Sequence, residues 1–179
     1  ILNNKTTHTM NCIVVPSHGL DIWLLERLSN SIDYPVKHKV VVNNGPFISN
    51  ELAEWHSRHP DWRVVSKNRN LGVAGGWNMA PIVCPEDDAW LIINDDHQLQ
   101  PGCLEQICKA SDQAHKDVPI IYMNEHRGFD MFVWTRKGLD TFGTFDENFY
   151  PIYYEDWEYR LRMDIAGAPW GVVGDEKTL

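Results

Sequence analysis

The residues best suited to chemistry follow an apolar run in the middle of the chain. The run Ala89–Ile93 (AWLII) has the length and composition of a buried strand, and Asn94, Asp95, Asp96 and His97 come directly after it. Acids at the carboxyl end of such a strand lie at the sheet edge where open α/β folds bind ligands. Carboxylate oxygens are hard ligands for Mg²⁺ or Mn²⁺, and these ions in turn hold phosphate. The stretch therefore predicts a site for a metal and a phosphate group.

Three further polar loops follow predicted strands, and in a parallel sheet they would meet the acidic loop at one edge. They lie at 16–19 (PSHG), 43–46 (NNGP) and 66–70 (SKNRN). Their amide side chains offer both a donor and an acceptor, which suits recognition of a base or a ribose. Asparagine and glycine also make ordinary turns, so one such loop alone favours a turn, whereas the four together favour a site.

A glycine-rich segment at 68–78 (NRNLGVAGGWN) is the second signal. Its small residues allow the backbone to approach a ligand closely, and the start of the predicted helix offers free N–H groups to a phosphate or a ribose. The segment lacks the GxGxxG spacing and does not follow the first strand, which argues against a nicotinamide cofactor. A tight contact between a helix and the sheet would require the same small residues.

A pair of acids, Glu155 and Asp156, begins the last predicted helix and is the third signal. The helix dipole alone favours acids at this position, so the pair has a purely structural explanation. The helix follows an aromatic and glycine-rich run at 142–150, and a carboxylate fixed in an aromatic cleft can act as a general base. Both interpretations remain open from the residues alone.

Composition limits the classes of protein that the chain could be. Its 179 residues with 43% hydrophobic content suffice for one domain with a core, and the net charge of −9 disfavours nucleic-acid binding. The four cysteines form no CxxC pair, which disfavours structural zinc, and Cys12, within a predicted strand, is expected to be a buried free thiol.

The apolar runs of the chain and its first residues indicate the cellular compartment that we expect for the protein. No apolar run approaches the roughly 18 residues that span a bilayer, so no transmembrane segment is predicted. The first ten residues lack the basic start and apolar stretch of a signal peptide, so we expect a cytoplasmic protein, either free or peripheral to a membrane. The chain begins with Ile, as a fragment or a processed product would.

Predicted strands alternate with predicted helices along the first two thirds of the chain. The strands lie at 11–16, 39–42, 62–65, 89–93, 120–123 and 130–135, and the helices at 20–28, 49–59, 72–83, 101–115 and 155–165. This alternation favours one three-layer α/β/α domain over 1–179, with a mainly parallel, Rossmann-like sheet and an added antiparallel region near the end.

The order of these motifs resembles that of the family-2 glycosyltransferases, which have the A-type fold of a single Rossmann-like domain. The likeness runs from about Cys12 to Gly171 and rests on IVVPSHG, VVVNNGP, NRNLGVAGGWN, WLIINDDHQLQPGCL and GTFDENFYPIYYEDWEYRLR, in that order. It implies transfer of a sugar from a nucleotide-diphosphate sugar, a UDP sugar first of all, to a hydroxyl of a glycan or other acceptor, with inversion and with Mn²⁺ or Mg²⁺. Residues 11–100 would then form the nucleotide-binding half and 101–179 the acceptor-side half.

The resemblance also implies roles for individual residues. The nucleotide and donor would be bordered by Pro16, Ser17, His18, Asn43, Asn70, Gly75, Gly76, Asn78, Asn94 and Asp95. Asp96 would be the principal metal ligand, with Asp95 and His97 in support. Asp156 would be the catalytic base, with Glu155 beside it.

Three positions depart from the family's pattern. Asn43 stands where the family usually has an acid that reads the nucleoside. Asn94 takes the first place of the DxD-type motif. The sequence has no histidine after His126, so the carboxy-terminal histidine that often helps to hold the metal in such enzymes has no counterpart in it.

Two other functions remain as alternatives. A sugar-phosphate nucleotidyltransferase usually has a glycine-rich loop with a basic residue after the first strand, and 17–21 (SHGLD) does not form such a loop. A non-catalytic nucleotide- or carbohydrate-binding module would keep the pocket without transferring the sugar.

Overall fold

The structure, a computed structural model, describes residues 10–173, and the amino-terminal stretch in which no signal peptide is predicted lies almost wholly outside them. Within these residues one sheet has its strands at Met10–Ser17 (β1), Val36–Asn43 (β2), Trp62–Ser66 (β3), Ala89–Ile93 (β4), Ile120–Tyr122 (β5), Met131–Thr135 (β6) and Gly171–Val172 (β7). The helices are Ile22–Asn30 (α1), Asn50–Arg58 (α2), Gly72–Asn78 (α3), Ala80–Val83 (α4), Cys103–Ala114 (α5), Arg136–Phe142 (α6) and Glu155–Ile165 (α7).

The strands stand in the order β3-β2-β1-β4-β6-β5-β7. The first four of these are parallel to one another, β6 runs antiparallel between β4 and β5, and β7 is parallel to β5. This arrangement confirms the predicted α/β class with a mainly parallel sheet and an added antiparallel region. The division into halves at residue 100 stays a prediction.

Alternate residues of the central strands face two separate cores. On one face, Ile13, Val41 and Leu91 pack against the leucines of α1, α2 and α5. On the other face, Val14, Val42 and Ile92 pack against α3, α4, α7 and a cluster of aromatic rings. Strands buried on both faces must be apolar throughout, which is why β4 reads AWLII.

The helix boundaries differ most from the predictions at two places. The helix predicted over 72–83 is two helices, because the chain turns at Met79, one residue before α4 begins. α5 starts at Cys103, so Pro101 lies ahead of its first turn, and Gly102 takes the left-handed conformation at φ 78°. At the predicted helix over 49–59, Ser49 or Asn50 was the expected cap, and the structure has Ser49 there, since its side chain accepts a hydrogen bond from the Leu52 N–H.

α6 and β7 were not predicted. α6 follows β6 without a break, and the Thr135 side chain caps it by accepting from the Gly138 N–H at 3.1 Å. A glycine in mid-helix argues against a helix in the sequence, but a Cβ at Gly138 would lie 2.5 Å from the Pro119 carbonyl oxygen. The close contact between α6 and the chain before β5 therefore requires the glycine.

The prediction of a free thiol at Cys12 is wrong. Cys12 is buried, but its Sγ is bonded to the Sγ of Cys84, which follows α4. The two cysteines are 72 positions apart and come together only because α4 packs on the face of β1 that carries Cys12. Cys103 and Cys108 are free.

Within residues 10–173, none of the helices combines the length and apolar character that crossing a membrane requires.

Candidate functional site

A cavity of about 280 Å³ opens at the carboxyl ends of β1 and β4. These two strands are neighbours in the sheet. From β1 the chain continues to β2 and β3 on one side, whereas β4 is followed in the sheet by β6 on the other side. The crevice at such a divergence is where open α/β sheets bind ligands. The cavity is lined by Pro16, Ser17, His18, Asn44, Val73, Trp77, Asn94, Asp95, Asp96 and Ile152. Three of the four predicted loops, those after β1, β2 and β4, therefore meet there.

The end of β1 supplies one wall. Ser17 is buried, and its hydroxyl oxygen accepts the Gly19 N–H at 3.0 Å, which turns the chain away from the sheet. His18, the next residue, is exposed beside the cavity. The buried serine thus fixes the loop, and the histidine is left available to a ligand.

The two acids after β4 differ in their surroundings. Burial raises the pKa of Asp95, while a hydrogen bond from the Ser17 hydroxyl opposes that rise. Asp96 is exposed at the cavity, and the Arg27 guanidinium of α1 donates to its backbone carbonyl. The pair therefore offers one carboxylate held against β1 and one free to meet a cation.

His97 lies beside the cavity rather than in its lining. Its Nδ1 is 3.2 Å from Asp96 Oδ1, and its Nε2 is 3.1 Å from Asp130 Oδ2. Asp130 also accepts the Asn94 N–H through its carbonyl at 3.0 Å. Sequence reasoning missed Asp130, because it reaches this place through the antiparallel pairing of β6 with β4 and no spacing pattern indicates that.

Helix α3 supplies the opposite wall through Val73 and Trp77. Its predicted glycines do not line the cavity. A Cβ at Gly76 would lie 3.1 Å from Pro16 Cβ on β1, whereas one at Gly75 would lie 2.8 Å from Cβ of Leu71, the residue that precedes α3 itself. The small residues allow α3 to lie close to β1, which is the structural explanation that the sequence left open.

The asparagines of the predicted loops serve mainly to fix backbone. Asn43 is fully buried and outside the cavity lining, and its amide donates to the Phe47 carbonyl and the Ser66 hydroxyl. Asn70 accepts the Gly72 N–H at 2.7 Å.

Asn44, which sequence reasoning passed over in favour of its neighbour, does line the cavity. It donates to the Gly72 carbonyl at 3.0 Å and accepts the Leu71 N–H at 2.7 Å. It therefore joins the loop after β2 to the start of α3, and it belongs to the loop at 43–46 that was predicted to meet the acidic loop.

Asn78, at the end of α3, is 6% exposed and points away from the cavity lining. Its Nδ2 donates to the Phe145 carbonyl and to Glu147 Oε1, and its Oδ1 accepts the Phe145 N–H, each at 2.9 Å. It connects α3 to the segment that leads towards α7.

That segment reaches the cavity through Ile152 and ends in a strained turn. Tyr153 and Tyr154 have φ values of 83° and 76°, a left-handed conformation that bulky side chains rarely adopt. Both tyrosines are exposed, at 70% and 68%. The turn leads directly into α7, whose two acids lie outside the cavity lining.

The two acids at the start of α7 have different environments. Glu155 is 4% exposed, and its Oε2 has no hydrogen-bond partner within residues 10–173. Burial, and after it the charge of Asp156, raises the pKa of Glu155. Asp156 is partly exposed, and its Oδ1 accepts the Trp157 N–H at 2.7 Å. Asp156 is the acid that a solvent-borne hydroxyl could reach.

The model for the family described as glycosyl transferase family 2 matches residues 12–168, most of the chain. No curated protein has a sequence that matches this chain.

Solved structures share the fold at low sequence identity. A mannosyltransferase, PcManGT from Pyrobaculum calidifontis, in complex with GDP-Man and Mn²⁺, is 17% identical with a TM-score of 0.67, and the match covers 94% of this chain and 55% of that one. TarS 1-349 from S. aureus in complex with UDP is 18% identical with a TM-score of 0.68, covering 93% and 59%. The same TarS segment with UDP-GlcNAc is 16% identical with a TM-score of 0.65, covering 93% and 56%. The chain thus spans little more than half the length of these solved chains, and 35% of a longer TarS structure.

Proposed function

The chain belongs to glycosyl transferase family 2, and from that membership we propose that it transfers a sugar from a nucleotide-diphosphate sugar, with UDP as the nucleotide, to a hydroxyl of a glycan or another acceptor. The observation that carries the proposal is the cavity, where the loop after β1 and the acids after β4 face one ligand-sized space. Similar structures hold GDP-Man, UDP and UDP-GlcNAc, which supports a nucleotide-sugar donor.

The acids at the cavity suit a divalent metal. Asp96 presents an exposed carboxylate, Asp95 adds a second, and both offer the oxygen ligands that Mn²⁺ and Mg²⁺ prefer. His97 orients Asp96 through the 3.2 Å contact, and Asp130 orients His97 in turn. The bound ion would neutralise the diphosphate and so stabilise the leaving group.

The loop after β1 is placed to hold the nucleotide. Pro16, Ser17 and His18 form the wall opposite Val73 and Trp77, so a base would lie between the loop and α3. Asn44 fixes that gap by joining the loop after β2 to the start of α3. Asn43, Asn70 and Asn78 support the pocket through the backbone instead of touching the donor.

The acceptor would approach over the start of α7. Asp156 takes the proton from its hydroxyl, and the oxygen attacks the anomeric carbon on the face away from the diphosphate, which inverts that carbon. Tyr153, Tyr154 and Trp157, at the turn and in the first turn of α7, have exposed rings of the kind that stack on a sugar. Glu155 is buried and supports the turn that holds Asp156.

The metal assignment is tested by Asp96→Ala, with Asp88→Ala at the other end of β4 as the control. A thermal-shift titration with UDP should raise the melting temperature of the parent chain only when Mn²⁺ is present, since a ligand of the folded state stabilises it. Asp96→Ala should lose this shift and Asp88→Ala should keep it. An unchanged shift of the melting temperature in Asp96→Ala would show that Asp96 does not bind the metal.

The base assignment is tested by Asp156→Asn, with Asp140→Asn, an exposed acid of α6, as the control. Asp156→Asn should bind the donor as the parent does and lose about 10²–10⁴-fold in transfer rate, the usual contribution of a general base. If it transfers sugar at the parent rate while Glu155→Gln does not, Glu155 is the base. Donor binding without transfer or hydrolysis across a broad acceptor panel would identify a binding module instead.

We place this activity in the cytoplasm, where nucleotide sugars serve as donors, either free or at a membrane surface. Fractionation of cells that express the native protein, with the chain detected by antibody, tests the location. Recovery from the secreted fraction would contradict it.

A further inference from the structure

A second cluster of metal-ligating side chains is buried at the other end of the sheet from the cavity. It consists of Cys12 near the start of β1, Cys84 after α4, and Asp87 before β4. The two sulfurs and a carboxylate oxygen all lie within 4.8 Å of one another. The three residues are 0%, 4% and 4% exposed, so solvent does not reach them.

Asp87 is the unexplained member of this cluster. Its Oδ2 is buried and has no hydrogen-bond partner within residues 10–173. A buried carboxylate oxygen without a hydrogen bond is costly, and buried carboxylates are normally paired with a cation or bound to a metal. The charges of His38, Lys37 and Arg136 act on Asp87, but none of these residues bonds to its Oδ2. The disulfide between the two cysteines accounts for the sulfurs but gives the carboxylate no role.

We propose that in the reduced protein Cys12, Cys84 and Asp87 bind a zinc ion, and that the disulfide is the oxidised, metal-free form of the same site. A dithiol reductant supplies two electrons and two protons, so the S–S bond breaks into two thiols and the reductant becomes a disulfide. Each thiol then releases its proton as its thiolate binds Zn²⁺. The carboxylate is the third ligand.

Neighbouring residues complete the site. His38 is the register partner of Cys12 on β2, so its side chain leaves the sheet on the same face. It is exposed and lies outside the group of three, so it would turn inward to supply the fourth ligand of a tetrahedral zinc. The Arg63 guanidinium lies 3.9 Å from Cys84 Sγ. Two thiolates, a carboxylate and Zn²⁺ carry one net negative charge, which Arg63 offsets.

The backbone accommodates both forms. The Cα atoms of Cys12 and Cys84 are 6.8 Å apart, at the wide end of the range for disulfides, so the sulfurs have room to separate to the spacing of zinc-bound thiolates. In either form β1 stays cross-linked to the end of α4. Since cytosolic thiols are kept reduced, the proposed cytoplasmic location favours the zinc form.

Sulfur ligands distinguish this site from the acids at the cavity. Thiolates select zinc and other soft ions, whereas carboxylates such as Asp96 suit Mn²⁺ and Mg²⁺. Co²⁺ is therefore a selective probe, because a thiolate-to-cobalt charge-transfer band in the near ultraviolet arises only where sulfur binds the ion.

The test titrates Co²⁺ into the full chain, reduced with a phosphine without oxygen and freed of metal. The band should grow to one ion per chain and disappear when Zn²⁺ is added. Cys84→Ser should lose the band, and Asp87→Asn should weaken Co²⁺ binding by about tenfold or more, as loss of ligand support does elsewhere. His38→Ala should alter the visible bands that report four-coordinate cobalt. Cys103→Ser, at a cysteine outside the cluster, should behave as the parent does.

Absence of the band in the reduced parent, or its persistence in Cys84→Ser, would overturn the proposal. So would equal affinity in Asp87→Asn, which is nearly isosteric and is checked for folding by circular dichroism. The oxidised parent should show no band. The absorption band of Co²⁺ is measured without any sugar transfer. A failure of the zinc proposal would therefore leave the proposed glycosyltransferase activity unaffected, and a failure of that activity would leave the zinc proposal unaffected.

Discussion

Replacing Asn78 with alanine should cost much of the stability of the fold. The change removes three hydrogen bonds, two of them to the backbone of Phe145, a residue that is only 1% exposed. Both the N–H and the C=O of Phe145 are then buried without a partner, at about 1–3 kcal/mol for each group. The lost bond to Glu147 adds little, because that acid is exposed. The sum is about 2–6 kcal/mol, against a total stability of about 5–15 kcal/mol for an ordinary domain.

Urea unfolding followed by fluorescence measures this cost, and Asn70→Ala is the matched control. Asn70 is half-buried and makes one bond to the nearby Gly72 N–H, so its loss should cost about 1 kcal/mol. A value for Asn78→Ala within about 1 kcal/mol of the parent, at an unchanged urea slope, would refute the reasoning. Donor affinity of the folded fraction should change little, because Asn78 lies outside the cavity lining. A large loss of donor affinity in Asn78→Ala would instead show that Asn78 contributes to donor binding.

Three further predictions concern stability. Burial raises the pKa of Glu155, so the folded chain holds this proton to a higher pH than the unfolded chain, and stability falls as pH rises through that interval. Glu155→Gln should remove this fall in the free energy of unfolding. At neutral pH it should also recover part of the roughly 1–3 kcal/mol cost of an unpaired buried group. An equal fall in the variant and the parent would contradict this prediction. Gly138→Ala should cost about 1–3 kcal/mol, because its Cβ would meet the Pro119 carbonyl at 2.5 Å, while the exposed Thr141→Ala on α6 should be nearly neutral in the same melts. Cys84→Ser should lower the unfolding free energy of the oxidised protein by about 4 kcal/mol, the chain-entropy value for a loop of this length, and an equal loss in reduced, metal-free protein would show that the cross-link is not the cause.

The sheet was predictable because its strands carry their pattern locally. Each of the four parallel strands contains a short apolar run that ends in polar turn residues, and the loops after β1, β2 and β4 do meet at one cavity. The antiparallel region was also predicted, and its strand at 130–135 became β6. The roles of the site residues in catalysis and binding stay predictions.

The details that the sequence left open depend on contacts between distant residues. Asn43 and Asn44 are the same residue type, and only the pleat of β2 decides that the first turns to the face of Val41 while the second faces α3. Asp130 and the bond between Cys12 and Cys84 likewise arise from neighbours that the chain brings together over tens of residues. Local periodicity carries no information about such pairs.

The aromatic wall of the cavity gives the protein an optical reporter of its own. All eight tryptophans of the sequence lie within residues 10–173, and Trp77 is the one that lines the cavity. Its indole is 3% exposed and packs against Phe129, Phe132 and Phe145, so its emission should be blue-shifted in the empty protein. A nucleobase stacked near it would quench that emission, and Trp77→Phe would isolate the signal from the other seven. Occupancy of the site can thus be followed in unlabelled protein, before any acceptor is known.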